Sequence, residues 1–96
     1  MMAPANVVAK HVILKGLVQG VFFRAFTRDL AQSLDIKGFV KNLPDGTVEV
    51  WAEGIPAQMQ RFLEGLKNGP PGARVDDMTI EDEEPRGLNG PFEIRY

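Results

Sequence analysis

GLVQGVFFR, residues 16–24, lies between an apolar run at 11–14 that predicts a strand and a stretch at 25–34 that predicts a helix. Its glycines, Gly16 and Gly20, allow the main chain to turn so that backbone N–H groups point inward around an anion. The helix that begins near Arg24 adds partial positive charge at the same place. The Arg24 guanidinium adds a planar donor that can clamp phosphate or carboxylate. We interpret this stretch as a strand–loop–helix unit that holds a phosphate.

The pattern downstream of this unit predicts alternating strands and helices. Strands are expected at 10–17, 37–43, 47–54 and 74–83, with a short last strand at 92–96, and helices at 23–34 and from Pro56 to the loop at 68–72. The triplet Pro44-Asp45-Gly46 predicts a hairpin between the second and third strands. The order βαββαβ plus a short strand predicts an α+β fold, a ferredoxin-like split β-α-β sandwich with two helices on one face of an antiparallel sheet.

Each helix and the third strand have one apolar face that predicts how they pack. In the strand, Val48, Val50 and Ala52 alternate with the more polar set Thr47, Glu49, Trp51 and Glu53. By helical spacing the helix faces are Phe23, Phe26, Leu30, Ala31 and Leu34 in the first, and Ile55, Met59, Phe62, Leu63 and Leu66 in the second.

This topology predicts where two polar side chains meet. The first and second strands of the sandwich run in the same direction with the third between them, so their carboxyl ends lie along one edge of the sheet. Arg24 follows the first strand and Asn42 ends the second. If Val40 faces the helices, Asn42, two residues later, points to the same side. We therefore expect Arg24 and Asn42 to converge, where the Asn42 amide could hold a water in line with a phosphorus atom. A turn-forming role for Asn42 and a surface role for Arg24 remain open from the residues alone.

Composition narrows the class of protein. The 96 residues fit one domain, in which we expect 1–9 to be a flexible tail and 10–96 the folded unit. The net charge of −2 disfavours broad nucleic-acid binding, and the absence of cysteine excludes disulfides and thiolate chemistry. His11 is the only histidine, and we expect it on an exposed strand position. The acidic run at 81–84 is expected to be a solvated strand end.

Two stretches together identify a family resemblance. GLVQGVFFR, residues 16–24, and GFVKNLPDGTVEVWAEG, residues 38–54, resemble the two signatures of acylphosphatases in sequence and in spacing. The resemblance covers about residues 10–96 and shows no departure at the positions that matter.

The resemblance implies an enzyme that hydrolyses acyl phosphates to a carboxylate and inorganic phosphate, without metal or other cofactor. By motif position it implies that Arg24 binds the phosphate and that Asn42 orients the attacking water. The backbone of residues 17–22 is implied to surround the phosphate, that is Leu17, Val18, Gln19, Gly20, Val21 and Phe22. We further expect a cytoplasmic monomer whose partner is a small acyl phosphate, with no nucleic acid or membrane partner.

Three alternatives remain at this stage. RNA-recognition domains share the strand order, but their aromatic motif belongs on the third strand, whereas Lys37-Gly38-Phe39-Val40 falls on the second. An anion-binding regulatory module of the same fold would use the same loop without chemistry. Similar domains also occur within larger proteins that handle carbamoyl phosphate.

Overall fold

The structure, a computed structural model, describes residues 6–96. In chain order the elements are β1 (Val8–Leu17), α1 (Phe23–Ser33), β2 (Lys37–Asn42), β3 (Val48–Gly54), α2 (Pro56–Asn68), β4 (Arg74–Glu83) and β5 (Glu93–Arg95). The predicted order of elements is confirmed, and the ends that differ from the prediction do so by one or two residues. Among the described residues, no helix is long and apolar enough to cross a membrane.

The five strands form one sheet in the order β4-β1-β3-β2-β5. β3 is antiparallel to both β1 and β2, so β1 and β2 run in the same direction. β5 extends the sheet by pairing parallel to β2. The split β-α-β sandwich predicted from the sequence is confirmed, and the carboxyl ends of β1 and β2 lie along one edge of the sheet.

The main core lies between the two helices and one face of the sheet. β3 contributes Val48, Val50 and Ala52, all fully buried, as its alternation predicts. In α1 the buried stripe differs from the predicted face, because it contains Thr27 and leaves Phe26 half-buried. Thr27 is tolerated there because its hydroxyl donates to the Phe23 carbonyl one turn earlier, at 2.8 Å. In α2 the buried residues are Met59, Phe62 and Leu66, while Ile55 is exposed.

The second face of the sheet is partly covered, which the sequence did not indicate. Trp51 and Glu53 are 5% and 3% exposed, beneath the connection between β4 and β5 (residues 84–92). The Glu53 carboxylate accepts hydrogen bonds from the Trp51 indole at 2.7 Å and from the backbone N–H groups of Arg86, Gly87 and Leu88 at 2.8, 3.1 and 3.4 Å. The Arg86 guanidinium lies 3.9 Å from the centre of the Trp51 ring. One buried carboxylate therefore anchors the β4–β5 connection to the sheet.

Two further expectations change at the strand edges. Val8 and Ala9, which were expected in the tail, belong to β1 because β3 extends far enough to pair them with Gly54 and Glu53. Residues 1–5 of that tail lie outside the described residues. His11 is half-buried rather than exposed, since its Nε2 lies 2.8 Å from Oε2 of Glu49 on the neighbouring strand. The acidic run at 81–84 is exposed, as expected.

Candidate active site

A cavity of about 320 Å³ opens where β1 leads into α1 and β2 ends. Its lining residues come from the loop after β1, the first turn of α1, the end of β2, and β5 with the residue after it: Val18, Gly20, Phe22, Phe23, Arg24, Ala25, Asn42, Ile94 and Tyr96. The structure thus brings Arg24 and Asn42 into the wall of one cavity, as the topology predicts.

The amino end of α1 forms one wall of this cavity. Phe22 is its N-cap residue and has left-handed backbone angles, with φ 58° and ψ 25°. The Phe22 side chain cannot cap the helix, and no acidic residue lies in the first turn. The first intrahelical bond runs from the Phe26 N–H to the Phe22 carbonyl, at 3.0 Å. The N–H groups of the first turn have no hydrogen-bond acceptor within the helix. They and the positive end of the helix dipole are therefore available to an anion.

Arg24 is the one cationic side chain in the lining. It is half-buried, and its guanidinium carbon lies 4.8 Å from the centre of the Tyr96 ring. Within residues 6–96 no carboxylate forms an ion pair with it. A guanidinium held by an aromatic ring, with no anionic partner in the described chain, can give all its outward donors to a ligand.

Asn42 lines the same cavity and carries a buried acceptor. It ends β2 opposite Val48, two residues after the fully buried Val40, which faces the helices. Across residues 6–96, the Asn42 Oδ1 atom is the one buried side-chain oxygen or nitrogen without a hydrogen-bond partner. An unpaired buried acceptor costs about 1–3 kcal/mol. A donor such as a water in the cavity would remove that cost.

Gln19 connects the loop to the hairpin that follows Asn42, and sequence reasoning did not find this contact. Its side-chain amide donates to the carbonyls of Leu43 and Thr47, at 2.9 and 2.8 Å. Thr47 is held in turn by Asp45, whose Oδ1 accepts from the Thr47 hydroxyl at 2.6 Å and from its N–H at 3.0 Å. These bonds, the hydroxyl bond first, lower the pKa of Asp45 below its ordinary value. Gln19 thereby fixes the loop relative to the end of β2.

The other loop residues divide between the cavity and the scaffold. Gly20 has φ 74°, and a Cβ there would meet nothing within 4 Å, so the backbone is open to a ligand. Val18 and Phe22 also line the cavity. Leu17 is the last residue of β1, opposite Arg74, and Val21 packs against the core. Of the six loop residues taken from the motif, Val18, Gly20 and Phe22 line the cavity and Leu17, Gln19 and Val21 do not.

The cavity and the rest of the described residues differ in the ligands that their side chains could bind. No three or more histidine, aspartate or glutamate side chains within residues 6–96 are grouped so that they could hold a metal ion. The cavity instead combines helix-terminal amides, one guanidinium and one carboxamide. This donor set suits an oxyanion.

Comparison with known proteins gives a consistent result. The sequence model of one family, Acylphosphatase, matches residues 10–94. An acylphosphatase of Gloeobacter violaceus is 48% identical over 90 residues, which are 94% of this chain and 96% of that protein. The crystal structure of the acylphosphatase of Bacillus subtilis is similar with a TM-score of 0.89 and 37% identity, over 93% of this chain and 99% of that one. Full-length HypF, in a phosphate- and nucleotide-bound crystal form, is similar over 98% of this chain but 12% of its own length, with a TM-score of 0.89 and 27% identity.

Proposed function

The chain belongs to the acylphosphatase family, and on that premise we propose that Arg24, Asn42 and the main chain of residues 17–22 are its catalytic and phosphate-binding groups. The protein is an enzyme that acts on small acyl phosphates. The observation that carries the assignment of residues is that Asn42, whose Oδ1 is buried and unpaired, lines the same cavity as Arg24.

In the proposed reaction, the phosphate lies against the amides of the loop and the first turn of α1, clamped by Arg24. Asn42 Oδ1 accepts a hydrogen bond from a water and directs its oxygen toward phosphorus. A bond forms between phosphorus and the water oxygen as the bond between phosphorus and the acyl oxygen breaks. The electron pair of the broken bond leaves with the carboxylate. The proton of the water passes to a phosphate oxygen. Because a carboxylate leaves readily, positioning and charge stabilisation are sufficient.

Support for Arg24 comes from its position as well as its chemistry. An arginine in the first turn of a helix is mildly unfavourable because the helix dipole is positive there. The arrangement becomes favourable when a doubly charged phosphate is bound between the Arg24 guanidinium and the positive end of the helix. The Tyr96 ring over the guanidinium limits the conformations that Arg24 can adopt before substrate arrives.

The test measures release of inorganic phosphate from benzoyl phosphate, with added chelator. We expect Arg24→Ala to lower kcat/KM by at least about 10³-fold and Arg24→Lys to recover little, because lysine lacks the planar fork. Asn42→Ala should lower kcat by about 10²-fold or more, as does loss of one oriented polar group in other sites. The matched control is Arg28→Ala, one turn further along α1, where the arginine pairs with Asp29. Near-normal turnover by folded Arg24→Ala, with circular dichroism as the check on folding, would refute the assignment.

We propose in addition that the enzyme acts as a cytoplasmic monomer without a nucleic-acid or membrane partner. The monomer is supported because a single copy of the chain brings Arg24 and Asn42 together in one cavity. The net charge of −2 disfavours a basic nucleic-acid-binding face. Measurement of the molecular mass of the active enzyme in solution tests whether it is a monomer.

A further inference from the structure

Phe22 combines two costly features that the stability of the fold does not explain. Its side chain is 87% exposed, so it contributes little to the core. Its φ of 58° lies in the left-handed region, where glycine or asparagine is favoured and a bulky side chain is strained. A smaller residue would suit this turn better, and phenylalanine here gains little until something covers its ring.

The cavity beside Phe22 is larger than a phosphate requires and mostly apolar. Each water occupies about 30 Å³ in the liquid, and a phosphate has the bulk of only a few waters, so a cavity of about 320 Å³ has room for more. Arg24 and Asn42 are the charged and amide groups of its lining, and the proposed reaction uses both. The other lining side chains are all non-ionic: Val18, Phe22, Phe23, Ala25, Ile94 and Tyr96. Of these, Val18 and Phe23 are buried, whereas Phe22 is highly exposed. Tyr96, like Phe22, is a highly exposed aromatic residue, 91% accessible.

We propose that the exposed face of Phe22, with Tyr96, forms a subsite for the acyl group, and that this subsite favours uncharged, apolar acyl phosphates, especially aromatic ones. This inference rests on the proposed function of the site. A phosphate held by Arg24 and the loop leaves its acyl end directed toward the mouth, where the side chains offer ring faces and no second charged group. An aromatic acyl group gains there both the burial of apolar surface and offset or edge-to-face ring contacts. Phe22 is in this view a specificity-determining residue, distinct from the main-chain role of the loop.

The experiment compares kcat/KM for benzoyl phosphate with kcat/KM for acetyl phosphate in the wild type and in Phe22 variants. Phe22→Asn and Phe22→Gly remove the ring and are both compatible with left-handed backbone angles. Phe22→Leu retains an apolar side chain. The matched control is Ile80→Ala, which removes an exposed apolar side chain on β4 outside the cavity. For each variant, kcat/KM for benzoyl phosphate is divided by kcat/KM for acetyl phosphate, and this ratio is compared with that of the wild type. The comparison cancels the intrinsic reactivity of the two substrates. It also cancels any disturbance of the phosphate site that affects both equally.

We expect the ratio to fall about tenfold in Phe22→Asn and Phe22→Gly, equivalent to about 1.4 kcal/mol, and to fall less in Phe22→Leu. The Ile80→Ala control should leave it unchanged. A ratio within about twofold of the wild type in both folded ring-deletion variants would overturn the acyl subsite while acetyl phosphate hydrolysis still upheld the proposed function. Hydrolysis of neither substrate by the wild type would refute the proposed function and the subsite with it.

Discussion

Replacement of Gln19 tests whether the loop must be held against the β2–β3 hairpin for the site to work. One side-chain amide donates both hydrogen bonds, to Leu43 and to Thr47. Gln19→Ala removes both bonds. Neither carbonyl is left without a donor, because Leu43 O also accepts from the Gly46 N–H at 3.1 Å and Thr47 O from the Leu43 N–H at 2.9 Å.

The expected size of the effect follows from that arrangement. A neutral hydrogen bond contributes about 0.5–1.5 kcal/mol net, and the penalty for an orphaned acceptor is avoided. Loss of the two bonds in Gln19→Ala should therefore lower the free energy of unfolding by about 1–3 kcal/mol. At a urea dependence of about 1 kcal/mol per molar, the unfolding midpoint falls by about 1–3 M. Because the loop is then less well fixed relative to Asn42, we expect kcat to fall by about tenfold or more.

Gln19→Glu provides the sharper comparison. An ionised carboxylate has no proton to donate, so it would face two carbonyl oxygens and place a negative charge beside the phosphate site. At neutral pH this variant should be less stable and less active than Gln19→Ala. In mild acid, where the new carboxyl gains a proton and can donate one bond, the difference in stability should narrow. Gln60→Glu makes the same change of charge at an exposed position of α2 and serves as the control. Urea unfolding followed by Trp51 fluorescence, together with phosphate release, measures both effects. Equal stability of the Ala and Glu variants at neutral pH would refute the role of the two donated bonds.

Two further predictions concern the scaffold. Burial alone would raise the pKa of Glu53, but the hydrogen bonds from the Trp51 indole and from the β4–β5 connection outweigh burial and the pKa is lowered. Its stabilising contribution is therefore present above the unfolded-state pKa and lost as pH falls through the lower folded-state pKa. Glu53→Gln should cost about 2–3 kcal/mol at neutral pH and flatten the decline of the urea midpoint in acid; an unchanged decline would contradict this. Gly38→Ala should abolish cooperative unfolding or cost about 4 kcal/mol or more, because φ is 143° and the new Cβ would lie 1.7 Å from the Trp51 carbonyl oxygen. Gly90→Ala, where a Cβ meets nothing within 4 Å, is its control in the same circular dichroism measurement, and equal losses in the two would contradict the steric argument.

The sequence predicted the order and direction of the elements because those follow from local patterns. The alternation in β3 determines which of its side chains face the helices, and Pro44-Asp45-Gly46 marks the hairpin. The cover over Trp51 could not be predicted in this way. It depends on hydrogen bonds that the Glu53 carboxylate accepts from three backbone N–H groups more than thirty positions away. Those groups belong to the β4–β5 connection, whose sequence has no periodic pattern.

The same distinction applies to the candidate site. The convergence of Arg24 and Asn42 follows from topology and strand parity, both of which the sequence contains. The hydrogen-bond partners of Gln19 do not follow from topology or strand parity, because an amide in a loop can turn toward many acceptors. The alignment of Gln19 with two carbonyls of the hairpin becomes visible only when the backbone of both segments is in place. Likewise, the motif placed the Phe22 backbone in the loop, but the sequence contained no signal that the Phe22 ring is exposed beside the cavity.

Several local rules that this chain breaks coincide at one cavity. α1 begins without a capping side chain, on a phenylalanine with left-handed backbone angles, and carries an arginine in its positive first turn. Asn42 buries an oxygen that no donor in residues 6–96 reaches. Each of these features is unfavourable by itself, and a bound acyl phosphate with its attacking water would offset all of them. Its phosphate would complete the helix terminus and neutralise Arg24, the water would pair with Asn42, and the acyl group would cover Phe22. Local costs that one ligand relieves together are the pattern expected of a preorganised active site, because such groups are held in place before the substrate arrives.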